Sequence, residues 1–164
     1  MSDHRARRFW LMKSEPDECS IDAALAAKNS TVPWTGVRNY QARNFMRDGM
    51  VPGDRVLVYH SNADPAGVAG IAEVVGEAVP DPTQFDARSE FHDPKSTRAA
   101  PRWMMRRLRF VERFDRVVTL EELRADPALR AMMALRPGNR LSVTPVTAAE
   151  FRAVCRIAKR AAPR

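Results

Sequence analysis

A chain of 164 residues, 45% hydrophobic and 29% charged, has the length of one ordinary domain with a core able to hold a pocket, and its composition excludes collagen-like, mucin-like and prion-like classes. The formal net charge of +7 favours polyanionic partners, because clustered Lys and Arg concentrate phosphates and release counterions from nucleic acid, although solvating arginines alone would give the same total. Cys19 and Cys155 form no CxxC, His4, His60 and His92 are scattered, and no run nears the roughly eighteen apolar residues of a membrane span, so no metal, cofactor, disulfide framework or membrane partner is expected.

The polar, basic stretches 1–8 and 160–164 read as frayed tails around a single domain over 9–158. "FWLMK" is a short buried strand, halted at Pro16 because proline cannot continue a ladder. Ser20 suits the N-cap of an Ala-rich helix, "IDAALAAK", which Asn29 and Ser30 end. A second helix is predicted over 39–47, with Ala42, Phe45, Met46 and Met50 spaced for one buried face and Asn39, Arg43 and Arg47 at four-residue steps on the other. Pro52, Gly53 and Asp54 turn the chain into the strand "RVLVYH". "VAGIAEVVGEAV" pairs with it as a hairpin, its glycines marking a bend or bulge.

Residues 80–101 form a long loop with four prolines, a length more often functional than idle. "RWMMRRLRFVERF" is the most basic strand, carrying Arg102, Arg106, Arg107 and Arg109. Thr119 with Glu122 and Thr147 with Glu150 match the capping box, so helices are predicted to start at Leu120 and Ala148, with "RLSVTPV" a last short strand between them. Strands with inserted rather than alternating helices argue an α+β fold, a small mixed or antiparallel β-barrel with helices packed around it.

Standard chemical sites are missing. The chain has no P-loop and no GxGxxG, and "GVAG" at 67–70 lacks the flanking helices of a KH clamp. His60 beside Ser61 is a poor catalytic dyad, since neighbouring strand residues point to opposite faces. What remains is a set of aromatic and amide-bearing residues at element ends: Ser14, Trp34, Asn39, Tyr40 and Tyr59. A nucleobase is held by stacking on an aromatic face, worth about 1–3 kcal/mol per base, with amides and hydroxyls reading its edge. The same residues have plainer uses, Trp34 as a core anchor, Asn39 as a helix cap, and Lys13 with Glu15 as a surface ion pair.

"FWLMKSEP", "WTGVRNYQARNF", "GDRVLVYHSN" followed by "GVAGIAEVV", and "RLSVTPV" with a later "EF" resemble, in order and spacing, the EVE domain family of the PUA-like superfamily, alongside YTH and ASCH domains. The resemblance runs from Phe9 to about Ile157 and implies a small β-barrel edged by helices that reads modified nucleobases, foremost modified cytosines in DNA. Carried over by position, it implies a pocket floor at Lys13 and Ser14, a cage aromatic at Trp34, and ligand contacts at Asn39, Tyr40, Tyr59, His60 and Ser61. The second aromatic wall stays open among Phe85, Phe91 and Trp103.

The expected partner is therefore nucleic acid bearing modified bases, DNA favoured over RNA, bound by a monomer in the cytoplasm or, in a eukaryote, the nucleus. A base flipped out of the stack would lie against Trp34, at an unstacking cost of a few kcal/mol. Arg38, Arg43, Arg47, Arg106, Arg107 and Arg109 would hold flanking phosphates. Two competing readings are a small hydrolase of modified nucleosides, with Lys13, Glu15 and Tyr59 as base, acid and positioning group, and a protein-interaction module using the basic surface. No catalytic residue is assigned.

Overall fold

The computed structural model describes residues 6–17 and 19–164. Its elements are β1 (Phe9–Ser14), α1 (Ile21–Ala26), β2 (Thr31–Trp34), α2 (Tyr40–Asn44), β3 (Arg55–His60), β4 (Gly67–Pro80), β5 (Met104–Thr119), α3 (Leu120–Ala125), β6 (Val143–Val146) and α4 (Ala148–Ala158). The strands form one mixed sheet in the order β2-β5-β4-β3-β1-β6. β1 runs parallel to β3, while the other pairs are antiparallel. The fold is the expected α+β architecture, but the sheet is not closed: β2 and β6 are its edges. Both edge strands contain a proline, Pro33 and Pro145, which can sit there because an edge residue need not donate to a ladder. Pro33 also hides β2 from sequence reading, and that strand was not expected.

Both faces of the sheet are covered. Trp10, Met12, Val56 and Val58 pack on one side with Ile21 and Ala24 of α1 and Ala42 of α2. Leu11 and Leu57 pack on the other with Leu123 of α3 and Ala153, Val154 and Ile157 of α4. This split follows from strand alternation, which sends odd and even positions of β1 and β3 to opposite layers.

The caps hold as the sequence indicates. Ser20 accepts from the N–H of Ala23 and Asn39 from that of Ala42, and both capping boxes, Thr119 with Glu122 and Thr147 with Glu150, are complete. α1 stops at Ala26 and passes into a 3₁₀ turn, Lys28–Ser30, in which Asn29 and Ser30 have positive φ. The predicted second helix is α-helical only to Asn44 and then widens into a π turn, Phe45–Gly49. Gly49 lies against the Trp10 indole, where an added Cβ would be 2.7 Å from the ring. β5 outruns its predicted end at Phe114 and continues to Thr119, and β4 pairs with it through several register shifts.

Of the expected N-terminal tail, positions 1–5 lie outside the described residues. Arg8 is not frayed: its N–H donates to Asp54 Oδ1 at 3.1 Å and its carbonyl accepts from Arg55 N at 3.1 Å.

Arg106 corrects a further expectation. It shares the inward face of β5 with Leu108 and Phe110, is 2% exposed, and donates to the carbonyls of Met46, Gly76 and Met50. It therefore secures the π turn and cannot meet a phosphate. A buried carbonyl left without a donor costs about 1–3 kcal/mol, so Arg106→Ala is expected to lower the unfolding free energy by roughly 3 kcal/mol or more in chemical denaturation, and Arg106→Lys by less. Wild-type stability in Arg106→Ala would contradict this role.

Candidate functional site

The parallel pairing of β1 with β3 sets Ser14 beside His60, so the carboxyl ends of two neighbouring strands open at one place, a favoured position for ligand sites. A cleft of about 770 Å³ lies there. The end of β1 and the residue after it contribute Lys13, Ser14 and Glu15, the end of β2 and the segment after it contribute Trp34 to Asn39, and separate loops bring Phe91, Arg140 and Ser142.

The segment after β2 is held away from the sheet by a buried carboxylate. Asp81, with no solvent exposure, accepts from the N–H of Gly36 at 2.8 Å, from Arg38 Nη1 at 3.0 Å, and from the N–H and hydroxyl of Thr83. Gly36 has φ +85°, and a Cβ there would come within 2.8 Å of the Phe91 ring, so glycine both permits the bend and lets the aromatic approach. Burial pushes the Asp81 pKa up, but the hydrogen bonds from Thr83, Gly36 and Arg38 outweigh it and hold the carboxyl below its ordinary value.

The cleft brings together Lys13, Ser14, Trp34, Asn39 and Ser61 of the expected ligand set, along with Arg38. Trp34 is 6% exposed and packs into the first core layer while lining the cleft, so the core-anchor and site readings both apply to it. Asn39 Oδ1 caps α2 at 3.0 Å, which leaves its amide NH₂ available at the cleft. The hydroxyls of Thr35, Ser61 and Ser142 also have no hydrogen-bond partner among the described residues. The Ser14 hydroxyl, in contrast, donates to the carbonyls of Cys19 and Glu15 and shapes the turn.

Three expected contacts fall outside the cleft lining. Tyr59 occupies the opposite face of β3, in the layer of Leu11 and Leu57, because alternation turns it away from Ser14. His60 is buried beneath α1, its Nε2 accepting from the N–H of Ile21 at 3.3 Å. Burial lowers its pKa, with nearby Asp22 opposing, so the neutral imidazole is favoured. Tyr40 is exposed and stacks on Trp103 at 4.8 Å, and the Arg43 guanidinium lies 4.7 Å from its ring. Of the open choices for the second aromatic, Phe91 lines the cleft; Phe85 sits under Arg98, and Trp103 is buried beneath Tyr40 with its indole N–H on Asp93.

The arginines named for phosphates are mostly engaged within the protein. Arg38 spends its donors on Phe91 O, Val37 O, Asp81 and Thr83, and a guanidinium has only five N–H groups to offer. Arg43 donates to Arg102 O and Asn44, Arg47 pairs with Asp48, and Arg109 pairs with Glu73. Arg107 alone of the six is exposed with no ion-pair partner among the described residues. Sequence reading missed Arg140 and Ser142, which reach the cleft because β6 pairs antiparallel with β1 and the N–H of Lys13 donates to Ser142 O at 2.8 Å. Asp81 was missed as well, since nothing local marks an aspartate in a loop as buried.

A helix-flanked mixed sheet with an aromatic-lined cleft at its strand ends defines a PUA-like domain. The chain belongs to the EVE domain family, whose model matches residues 8–157. It is 40% identical over 159 residues to thymocyte nuclear protein 1 of Mus musculus, covering 87% of this chain and 70% of that protein. A hypothetical protein from Leishmania major is similar in structure at TM-score 0.88 and 48% identity, over 93% of this chain and 95% of that one. The human THYN1 protein, crystallised in complex with 5-methylcytosine-containing DNA, matches at TM-score 0.88 and 37% identity, over 94% of this chain and 99% of that one.

Asp81 yields a pH-dependent expectation. Its folded-state pKa lies below the unfolded value of about 3.9, so the ionised carboxylate stabilises the fold at neutral pH, and this contribution is lost as pH falls through the folded-state value. Asp81→Asn should be clearly less stable than wild type at neutral pH in urea melts, the gap narrowing as pH drops from about 4 towards 2. A gap that stays constant across this range would contradict the assignment.

Proposed function

We propose that this protein is a reader of modified nucleobases, foremost modified cytosine in DNA, and that it takes the base, extruded from the stack, into the cleft between β1 and the segment after β2. The observation that carries this reading is the cleft itself, which joins aromatic surface from Trp34 and Phe91 to hydrogen-bonding groups on Thr35, Asn39, Ser61 and Ser142 that have no partner among the described residues. The likeness to human THYN1, crystallised with 5-methylcytosine-containing DNA, supports a cytosine derivative and DNA. Stacking worth about 1–3 kcal/mol per base, together with edge hydrogen bonds, offsets the few kcal/mol of unstacking.

The chemistry of the lining favours binding over turnover. The Ser14 hydroxyl is committed to backbone carbonyls, burial raises the Cys19 thiol pKa and so disfavours the thiolate, and Tyr59 does not share the cleft with Glu15. The hydrolase alternative loses its proposed three-residue arrangement. The protein acts on this reading as a monomer, with one cleft per chain.

Trp34→Ala would open a core cavity as well as alter the cleft, so Phe91 gives the cleaner test. Competition anisotropy with oligonucleotides that differ only in cytosine or 5-methylcytosine should show the modified strand bound about tenfold tighter or better, a difference of about 1.4 kcal/mol. Phe91→Ala should shrink that ratio with little change in affinity for the plain strand. Equal affinities in the wild-type protein for modified and plain strands, across a panel of cytosine modifications, would overturn the reader assignment.

A further inference from the structure

Lys13 lines the cleft and also a second, smaller pocket of about 140 Å³ on the face of the sheet that carries Leu11 and Tyr59. The small pocket has three cationic side chains on its walls, Lys13, Arg124 and Arg136, and no carboxylate. None of the three has an ion-pair partner among the described residues. The Lys13 ammonium lies 5.4 Å from the Tyr59 ring centre, and the Tyr59 hydroxyl also lacks a hydrogen-bond partner among the described residues. Asn139 braces the loop that closes the pocket: its amide donates to Met133 O and accepts from the N–H of Leu141. That loop delivers Arg136 to the small pocket and Arg140 to the cleft, with Lys13 common to both.

Like charges gathered around a half-buried ammonium oppose one another, and among the described residues no carboxylate lines the pocket to offset them. A bound anion would, and Lys, Arg and a phenol hydroxyl together supply the donors that phosphate oxygens accept. We propose that the small pocket is a phosphate subsite, which holds the backbone phosphate of a nucleotide adjacent to the one whose base enters the cleft. The assignment rests on the cleft being a nucleotide site and adds the direction in which the strand leaves it, past Lys13 and over the 136–140 loop. Burial lowers the pKa of Lys13, and the charge of Arg124 is felt at Tyr59, where it opposes the upward push of burial. The effect on Tyr59 places the Arg124 charge close to the phenol, on the wall that it shares with Lys13.

The test is the double variant Arg124→Gln/Arg136→Gln, titrated with a 5-methylcytosine oligonucleotide over a range of salt concentrations. Each phosphate contact contributes about 0.7–0.9 to the slope of log K against log salt. The variant should bind about tenfold more weakly at low salt, with a slope flatter by about one contact and an unchanged ratio of modified to plain affinity. A neutral methylphosphonate placed beside the modified base should weaken wild-type binding comparably and leave the variant unaffected.

Wild-type affinity and slope in the double variant, with discrimination between bases intact, would overturn the subsite and leave the cleft reading standing. Absence of discrimination in the wild-type protein would instead strike the cleft reading. In a separate arm, inorganic phosphate alone is followed by the NMR signals of the Lys13 side chain. A response to inorganic phosphate combined with indifference to the methylphosphonate would assign the pocket to a free phosphate and overturn the backbone assignment.

Discussion

The cleft depends on one carboxylate sealed from water. Asp81 reaches Gly36, Arg38 and Thr83 at once, and so ties the segment that follows β2 to the loop that follows β4. Arg38 extends the same tie to the carbonyl of Phe91. A buried charge is tolerated only when its partners are close and its lone pairs are filled, and these contacts meet that condition. The positions of Trp34, Phe91 and Asn39 relative to one another follow from it, because Gly36 supplies the left-handed bend and, having no Cβ, lets the Phe91 ring lie against it. The wall is fixed by hydrogen bonds within the protein itself, the kind of preorganisation that a selective binding site requires.

Local signals made much of this fold legible. The capping boxes at Thr119 and Thr147, the caps at Ser20 and Asn39, and the β-branched run of β3 are each written in a few adjacent residues, and each is found where those residues place it. Strand β2 was not legible, because Pro33 argues against a strand unless its edge position is known. The candidate site divides in the same way. Lys13, Ser14, Trp34, Asn39 and Ser61 stand at element ends and converge as their motifs imply. Tyr59 and His60 share a motif with Ser61, yet alternation and the packing of α1 take them elsewhere.

The arginines show where reading charge from sequence stops. Arg106 and Arg107 are neighbours in the most basic strand, but one is sealed beneath the π turn and the other faces solvent, a difference that follows from period-two alternation once the buried face is known. Arg38, Arg43, Arg47 and Arg109 already have partners within the protein. The cations around the cleft that have no ion-pair partner among the described residues, Lys13 and Arg140, come from the start and the end of the chain and meet because β6 pairs with β1. Net charge therefore describes the partner better than it locates the contact. The helices on both faces of the sheet leave the strand ends as the open route to the core's edge, and the unpartnered groups gather there.

On the proposed reading, a modified base leaves its stack and enters the cleft beside Trp34 and Phe91. The most direct measurement is an isotope-edited NMR experiment with a duplex carrying ¹³C-labelled 5-methylcytosine at one position. Intermolecular NOEs are expected from the labelled methyl group to the ring protons of Trp34 and Phe91, with loss of its NOEs to neighbouring bases. A labelled methyl that keeps its stacking NOEs in the bound duplex and shows none to either ring would contradict that reading.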